Sequence, residues 1–182
     1  MNAKIDISNI VINTERLVLR AFRESDLQDF FDYASVDGVG QMAGWKPHEN
    51  IDITKRILDS FIQEKKTFAL VYKANNKVIG SLGIEEYKEK YLPELDDKRG
   101  REIGFVLSKE YWGQGLMPEA VSAVIDYCFN TLNLDFLTCG YFLVNTRSKR
   151  VQEKCGFNPI KQIQYTTRMG TTEECMLNIL YR

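Results

Sequence analysis

One histidine, His48, stands in 182 residues, and the four cysteines, Cys128, Cys139, Cys155 and Cys175, nowhere form a CxxC pair. The usual donor sets for zinc are therefore missing, and no metal site is expected. Neither sign of charge is in excess: 24 Lys and Arg stand against 25 Asp and Glu, for a net charge of −1. A nucleic-acid binder displaces counterions with a basic face, and no block of Lys or Arg supplies one here. No nucleic-acid partner is expected. Long apolar runs are missing as well. The best, Ala120 to Phe129, is broken by Ser122 and Asp126 and falls far short of a bilayer span. The opening MNAKIDISNIVINTERL lacks the basic start and unbroken apolar core of a secretory leader. No membrane partner is expected. Cysteines without a pairing pattern point to reduced, buried thiols and a cytoplasmic location.

What is present is ordinary for a globular protein: 44% hydrophobic and 27% charged residues. The length suits one domain over residues 1–182, with room for a sizeable core. TERLVLR alternates apolar and polar residues and reads as a strand. A helix follows from Ser25 or Asp26, with Leu27, Phe30, Phe31 and Ala34 at helical spacing. A second fits Ile53 to Gln63. TFALVY and VIGSLGI flank the turn-like KANNK as a hairpin. The mixed charges from Glu85 to Arg101 read as a solvated loop.

REIGFVL is a further strand, in which Gly104 marks either a bulge or a close approach to the backbone. GQGLMPEA then enters a helix, LDFLTCGYF is another strand, and NTRSKRVQEKCGF a short helix ending near Gly156. KQIQYTT and ECMLNILY close the chain as a hairpin around Met169 and Gly170. Strands and helices in this order predict a mixed α+β fold.

The passage REIGFVLSKEYWGQGLMPEA carries the chemistry. A strand runs into a turn holding Gly113 and Gly115, and a helix begins at once. Glycines let backbone N–H groups approach a ligand, and the first N–H groups of a helix have no intrahelical partner. With the helix dipole added, phosphate is the natural occupant, and Pro118 suits a first helical turn. The passage lacks the Lys-Ser/Thr of a Walker loop and the third glycine of a dinucleotide fingerprint. On this segment alone, a tight turn without a ligand remains open.

Taken together, TERLVLR, GWKPH, VIGSLGI, REIGFVL, YWGQGLMPEA and NTRSKRVQEKCGF resemble the GNAT superfamily of acetyltransferases, in its ribosomal-protein N-terminal (RimJ/RimL-type) branch. The resemblance spans nearly the whole chain. It implies a mostly antiparallel central sheet of about seven strands flanked by about four helices, splayed between the fourth and fifth strands. It also implies acetyl-CoA as co-substrate and a primary amine as acceptor, most naturally a protein N-terminus. The alternatives are a small-molecule amine or a non-catalytic CoA-binding module. A monomer and a homodimer are both compatible with it.

Residue by residue, the resemblance puts Val106 and Leu107 beside the pantetheine amides. Backbone N–H groups of Gly113, Gln114, Gly115, Leu116 and Met117 fall on the pyrophosphate. Met117 departs from the small residue the family motif prefers. Asn145 matches the position that binds the pantetheine arm, and Ser148 the one that faces the cofactor sulfur. As catalytic groups, Glu102 is the candidate proton acceptor and Ser148 the candidate partner of the leaving thiolate. Each has a plainer alternative: Asn145 a helix cap, Glu102 a strand-edge carboxylate. Lys154 reads as a solvated helix residue, and His48 as a loop residue near the substrate mouth.

Overall fold

The alternation of TERLVLR and the apolar run of TFALVY become neighbouring strands of one eight-stranded sheet in the computed structural model, which describes residues 1–182. In chain order the strands are β1 (Val11–Asn13), β2 (Leu17–Ala21), β3 (Thr67–Tyr72), β4 (Lys77–Glu85), β5 (Gly100–Leu107), β6 (Phe136–Phe142), β7 (Asn158–Thr166) and β8 (Thr172–Tyr181). The helices are α1 (Leu27–Ala34), α2 (Ile51–Glu64), α3 (Leu116–Asp126) and α4 (Thr146–Lys154). Strand order is β1-β2-β3-β4-β5-β6-β8-β7, and only β5 and β6 pair in parallel. The strand beyond the expected seven is β1, three residues paired antiparallel with β2.

The central strands are buried on both faces, and side-chain alternation sorts the core. On β3, Phe68 and Leu70 join α3 residues Val121 and Val124 beneath one face. Ala69 and Val71 join Phe30 of α1 and Leu58 of α2 on the other. Phe68 and Leu70 are fully buried, each contributing about 1.5–3 kcal/mol of transfer free energy. The two-sided burial is why TFALVY lacks alternation.

Helix starts follow local chemistry. Asn50 caps α2, its Oδ1 accepting from Ile53 N at 3.1 Å, so the helix begins two residues before its expected start. A short 3₁₀ turn, Glu24–Asp26, precedes α1. There the buried Asp26 carboxylate accepts from Arg23 N and pairs with both terminal nitrogens of Arg20 at 2.8 Å. None of the helices is long and apolar enough to cross a membrane.

Two local expectations need correction. The segment from Glu85 to Arg101 is not simply a solvated loop. Tyr87, Leu92 and Leu95 are buried and pack on Phe136, Leu177 and Ile179. Their spacing among the charges follows neither strand nor helix periodicity, which hid them. His48 is buried between Trp45 and Phe30, with Nδ1 2.9 Å from Thr54 Oγ1, and does not line a substrate mouth. Burial pushes its pKa down, so the ring is held neutral.

Candidate active site

β5 and β6 pair over three residues only, Gly100 with Phe136, Arg101 with Leu137 and Glu102 with Thr138. Beyond that point β5 continues along β4 as far as Leu107, while β6 continues along β8 as far as Phe142. The strands part, and their facing edges have no strand partner. A cavity of about 570 Å³ fills the gap. Val106 and Leu107 line it, and the Leu107 carbonyl already accepts from Trp112 Nε1 at 2.8 Å.

The turn between β5 and α3 closes one end of this cavity. Gly113 and Gly115 both have φ of +78°, in the left-handed region where a side chain is strained. A Cβ at Gly113 would meet nothing within 4 Å, so backbone conformation and not space requires glycine there. The N–H groups from Gly113 to Met117 donate to no backbone carbonyl. Gly113, Gly115, Leu116 and Met117 line the cavity, whereas Gln114 is exposed outside the lining, its Nε2 donating to Glu110 O. Met117 stands where the motif has a small residue. Its side chain is 5% exposed and packed in the core.

Arg16 holds the turn in place. Its Nε pairs with Glu119 Oε2 at 2.7 Å and its Nη1 donates to Gln114 O at 2.9 Å. Thr14 Oγ1 and Arg16 N both donate to Glu119 Oε1. Partial burial pushes the Glu119 carboxyl up, but these donors outweigh it and hold its pKa below the usual range. The carboxylate thus fastens the first turn of α3 to the chain entering β2.

α4 supplies the opposite wall. Asn145 is its cap, with Oδ1 accepting from Ser148 N at 3.1 Å and Nδ2 donating to Met42 O at 3.4 Å. Both Asn145 and Ser148 line the cavity. So do Arg147, Arg150 and Lys154, spaced three and four residues apart and hence on one helical face. The Arg147 guanidinium lies 4.6 Å from the Trp112 ring centroid, across the glycine turn. The two arginines were not singled out from the sequence, although their spacing within NTRSKRVQEK was visible. Lys154 is exposed, as read, yet on the cavity wall.

Glu102 lies where the strands part, half-buried and lining the cavity. Desolvation pushes its pKa up to about 7; Lys88 and the Thr138 hydroxyl pull it down and Glu85 raises it further. A carboxyl poised there can accept a proton near neutral pH. Two thiols share the cavity, Cys139 and Cys175. Burial, reinforced by Glu102, raises Cys175 to about 11 and Cys139 well above the usual thiol range. Both stay protonated and are poor nucleophiles.

A family model described as an acetyltransferase (GNAT) domain matches residues 16–158. The uncharacterized N-acetyltransferase YoaA of Bacillus subtilis is 28% identical over 167 residues, covering 88% of this chain and 90% of that protein. Among solved structures, a GNAT-family acetyltransferase from Bacillus anthracis superimposes with a TM-score of 0.82 at 21% identity, over 94% of this chain and 98% of that one. A putative ribosomal-protein-serine acetyltransferase from Vibrio cholerae gives 0.79 at 18% identity, over 96% and 99%. At those identities the two structural likenesses speak to the fold.

Proposed function

The chain belongs to the GNAT acetyltransferase family and is an acetyl-transferring enzyme; we propose that it transfers the acetyl group of acetyl-CoA to a protein N-terminal α-amine by direct attack in a ternary complex. The observation that carries the cofactor assignment is the opening between β5 and β6, closed at one end by the unpaired N–H groups of residues 113 to 117. Those donors suit a pyrophosphate at a helix N-terminus. The basic face of Arg147, Arg150 and Lys154 suits the remaining phosphate charge. The unpaired edge of β5 near Val106 and Leu107 suits the amides of an extended arm, bound like an added strand.

Charge supports the choice of acceptor. With Arg147, Arg150 and Lys154 facing the cofactor phosphates, the charged groups left on the cavity wall for the acceptor are one carboxylate, Glu102, and one ammonium, Lys88. A polyamine or aminoglycoside would find no second carboxylate there for its further cationic groups. A single α-amine, with a free pKa of only about 7.7–8.0, needs little help to become neutral. The rest of the acceptor end is apolar and aromatic, including Met42, Tyr91, Phe142 and Tyr165, which suits the first side chain of a peptide.

In the proposed reaction the amine nitrogen bonds to the thioester carbonyl carbon and the carbon–sulfur bond breaks. Glu102 takes the amine proton, directly or through water. The protonated cavity thiols leave direct attack as the simpler route than an acyl-cysteine. Positioning in the cavity supplies a large share of the acceleration.

A screen of thiol release from acetyl-CoA over N-terminal peptides, spermine and aminoglycosides tests the acceptor. Peptides with free α-amines should turn over fastest. Faster turnover of the polycations would move the assignment to a small-molecule amine. Asn145→Ser tests the cofactor arm, because serine keeps a good cap with a shorter reach. Weaker acetyl-CoA binding with an unchanged melting temperature is expected; unchanged binding would confine Asn145 to capping.

A further inference from the structure

Ser148 Oγ has one hydrogen-bond partner in the protein, Gln152 Nε2 at 3.2 Å. The same nitrogen donates to Gly140 O at 3.1 Å, and Gln152 Oε1 accepts from Asn178 Nδ2 at 2.8 Å. Gln152 is fully buried and Asn178 is 3% exposed, so neither amide has water as an alternative partner. Gly140 lies on the stretch of β6 that has parted from β5, and Gln152 there supplies a hydrogen bond to its carbonyl.

The polarity of this chain can be read without seeing a hydrogen. A backbone carbonyl only accepts, so the Gln152 atom facing Gly140 O must be the nitrogen. Flipping the amide would set two acceptors against each other there, and with Gln152 so fixed Asn178 must present its nitrogen to Oε1. Both hydrogens of Gln152 Nε2 are then committed, one to Gly140 O and one to Ser148 Oγ. The serine oxygen must accept from inside the protein. Its own hydrogen has no protein acceptor and faces the cavity that Ser148 lines.

Resting on the acetyl-transfer reading above, we infer that Gln152 and Asn178 are positioning residues that fix Ser148 as a hydrogen-bond donor toward the sulfur leaving from the thioester. A serine hydroxyl is a much weaker acid than a thiol, so Ser148 keeps its proton and stabilises the thiolate as charge develops. The proton balance closes without it. The amine loses one proton through Glu102 or water, the thiolate later gains one from solvent, and the carbon–sulfur electron pair leaves with sulfur. An aligned donor matters here because charge builds on sulfur only as that bond breaks.

Gln152→Glu leaves at most one hydrogen where the amide had two, and with that one on Gly140 O it offers Ser148 an acceptor, which turns the hydroxyl hydrogen inward. Asn178→Asp acts from farther away: at a pH high enough to ionise this buried carboxyl, it faces Gln152 Oε1 with an acceptor, favours the flipped amide and draws Nε2 off Ser148. Each variant is made alone and in a Ser148→Ala background, with kcat, KM for acetyl-CoA and melting temperature measured. Ser148→Ala should lower kcat about 10²-fold, as for loss of one preorganised donor. Gln152→Glu and Asn178→Asp should each lower kcat about tenfold with little change in KM, and add almost nothing once Ser148 is alanine. If Gln152→Glu fails to fold, Asn178→Asp carries the test. An equal loss in the Ser148→Ala background, or an effect on KM alone, overturns the relay. So does Ser148→Ala turning over like the wild type, and in that case acetyl transfer itself stands. A folded wild type that releases no thiol with any acceptor refutes the acetyl-CoA reading and the relay with it.

Discussion

Glu102→Gln should lower kcat by roughly 10²–10⁴ at neutral pH under saturating amine, because it keeps size and removes basicity at the point where β5 and β6 part. Wild-type turnover should climb as pH passes about 7, where the desolvated carboxyl ionises. The deficit of the variant should shrink at high pH, where more of the amine is already neutral. A change in KM alone would make Glu102 a substrate-positioning residue. Unaltered turnover across pH would remove it from the mechanism and leave water as proton acceptor.

The same residue makes a prediction about stability. Its folded pKa of about 7 lies above the 4.5 of a free carboxyl, so between those values the folded state binds the extra proton. Stability should therefore fall as pH rises through that window and level off above it. Glu102→Gln removes this dependence, so its melting temperature should gain on the wild type between pH 5 and pH 8. A gain that is absent, or greater at pH 5, would show that the carboxyl is not desolvated in the folded protein.

Gly115→Val should weaken acetyl-CoA binding by about 10- to 100-fold, or about 1.4–2.8 kcal/mol. Valine resists φ of +78°, so the turn must rearrange and its N–H groups lose their common direction. Gly170→Val provides the control. Gly170 has φ of +81° with nothing within 4 Å of an added Cβ, and it sits in the β7–β8 hairpin outside the cavity lining. It carries a similar backbone penalty and should leave affinity unchanged. Calorimetry should find one site per wild-type chain. Equal weakening by the two variants would trace the effect to global strain.

Elements with one dominant signal were legible in the sequence. The glycine turn entering α3 and the terminal hairpin both lie where GQGLMPEA and the pair KQIQYTT and ECMLNILY placed them. β1 was missed because three residues are too few to display alternation. Tyr87, Leu92 and Leu95 were missed because their burial depends on Phe136, Leu177 and Ile179, far away in the chain. The candidate site divides along similar lines. Gly113 and Gly115 announce themselves by residue type, because few other residues accept their backbone conformation. Gln152 and Asn178 gave no such sign, since an amide acquires its role only from partners that folding brings to it. The splay could be expected from resemblance alone, because no local pattern in REIGFVL or LDFLTCGYF states where two strands stop pairing.

The most direct measurement is mass spectrometry of a peptide that carries both a free N-terminus and an internal lysine, after incubation with the protein and acetyl-CoA. One acetyl group on the α-nitrogen, lost when the N-terminus is blocked and strongly reduced by Glu102→Gln, is the predicted result. Acetylation of the lysine alone, or of spermine in preference to the peptide, would contradict the proposed acceptor.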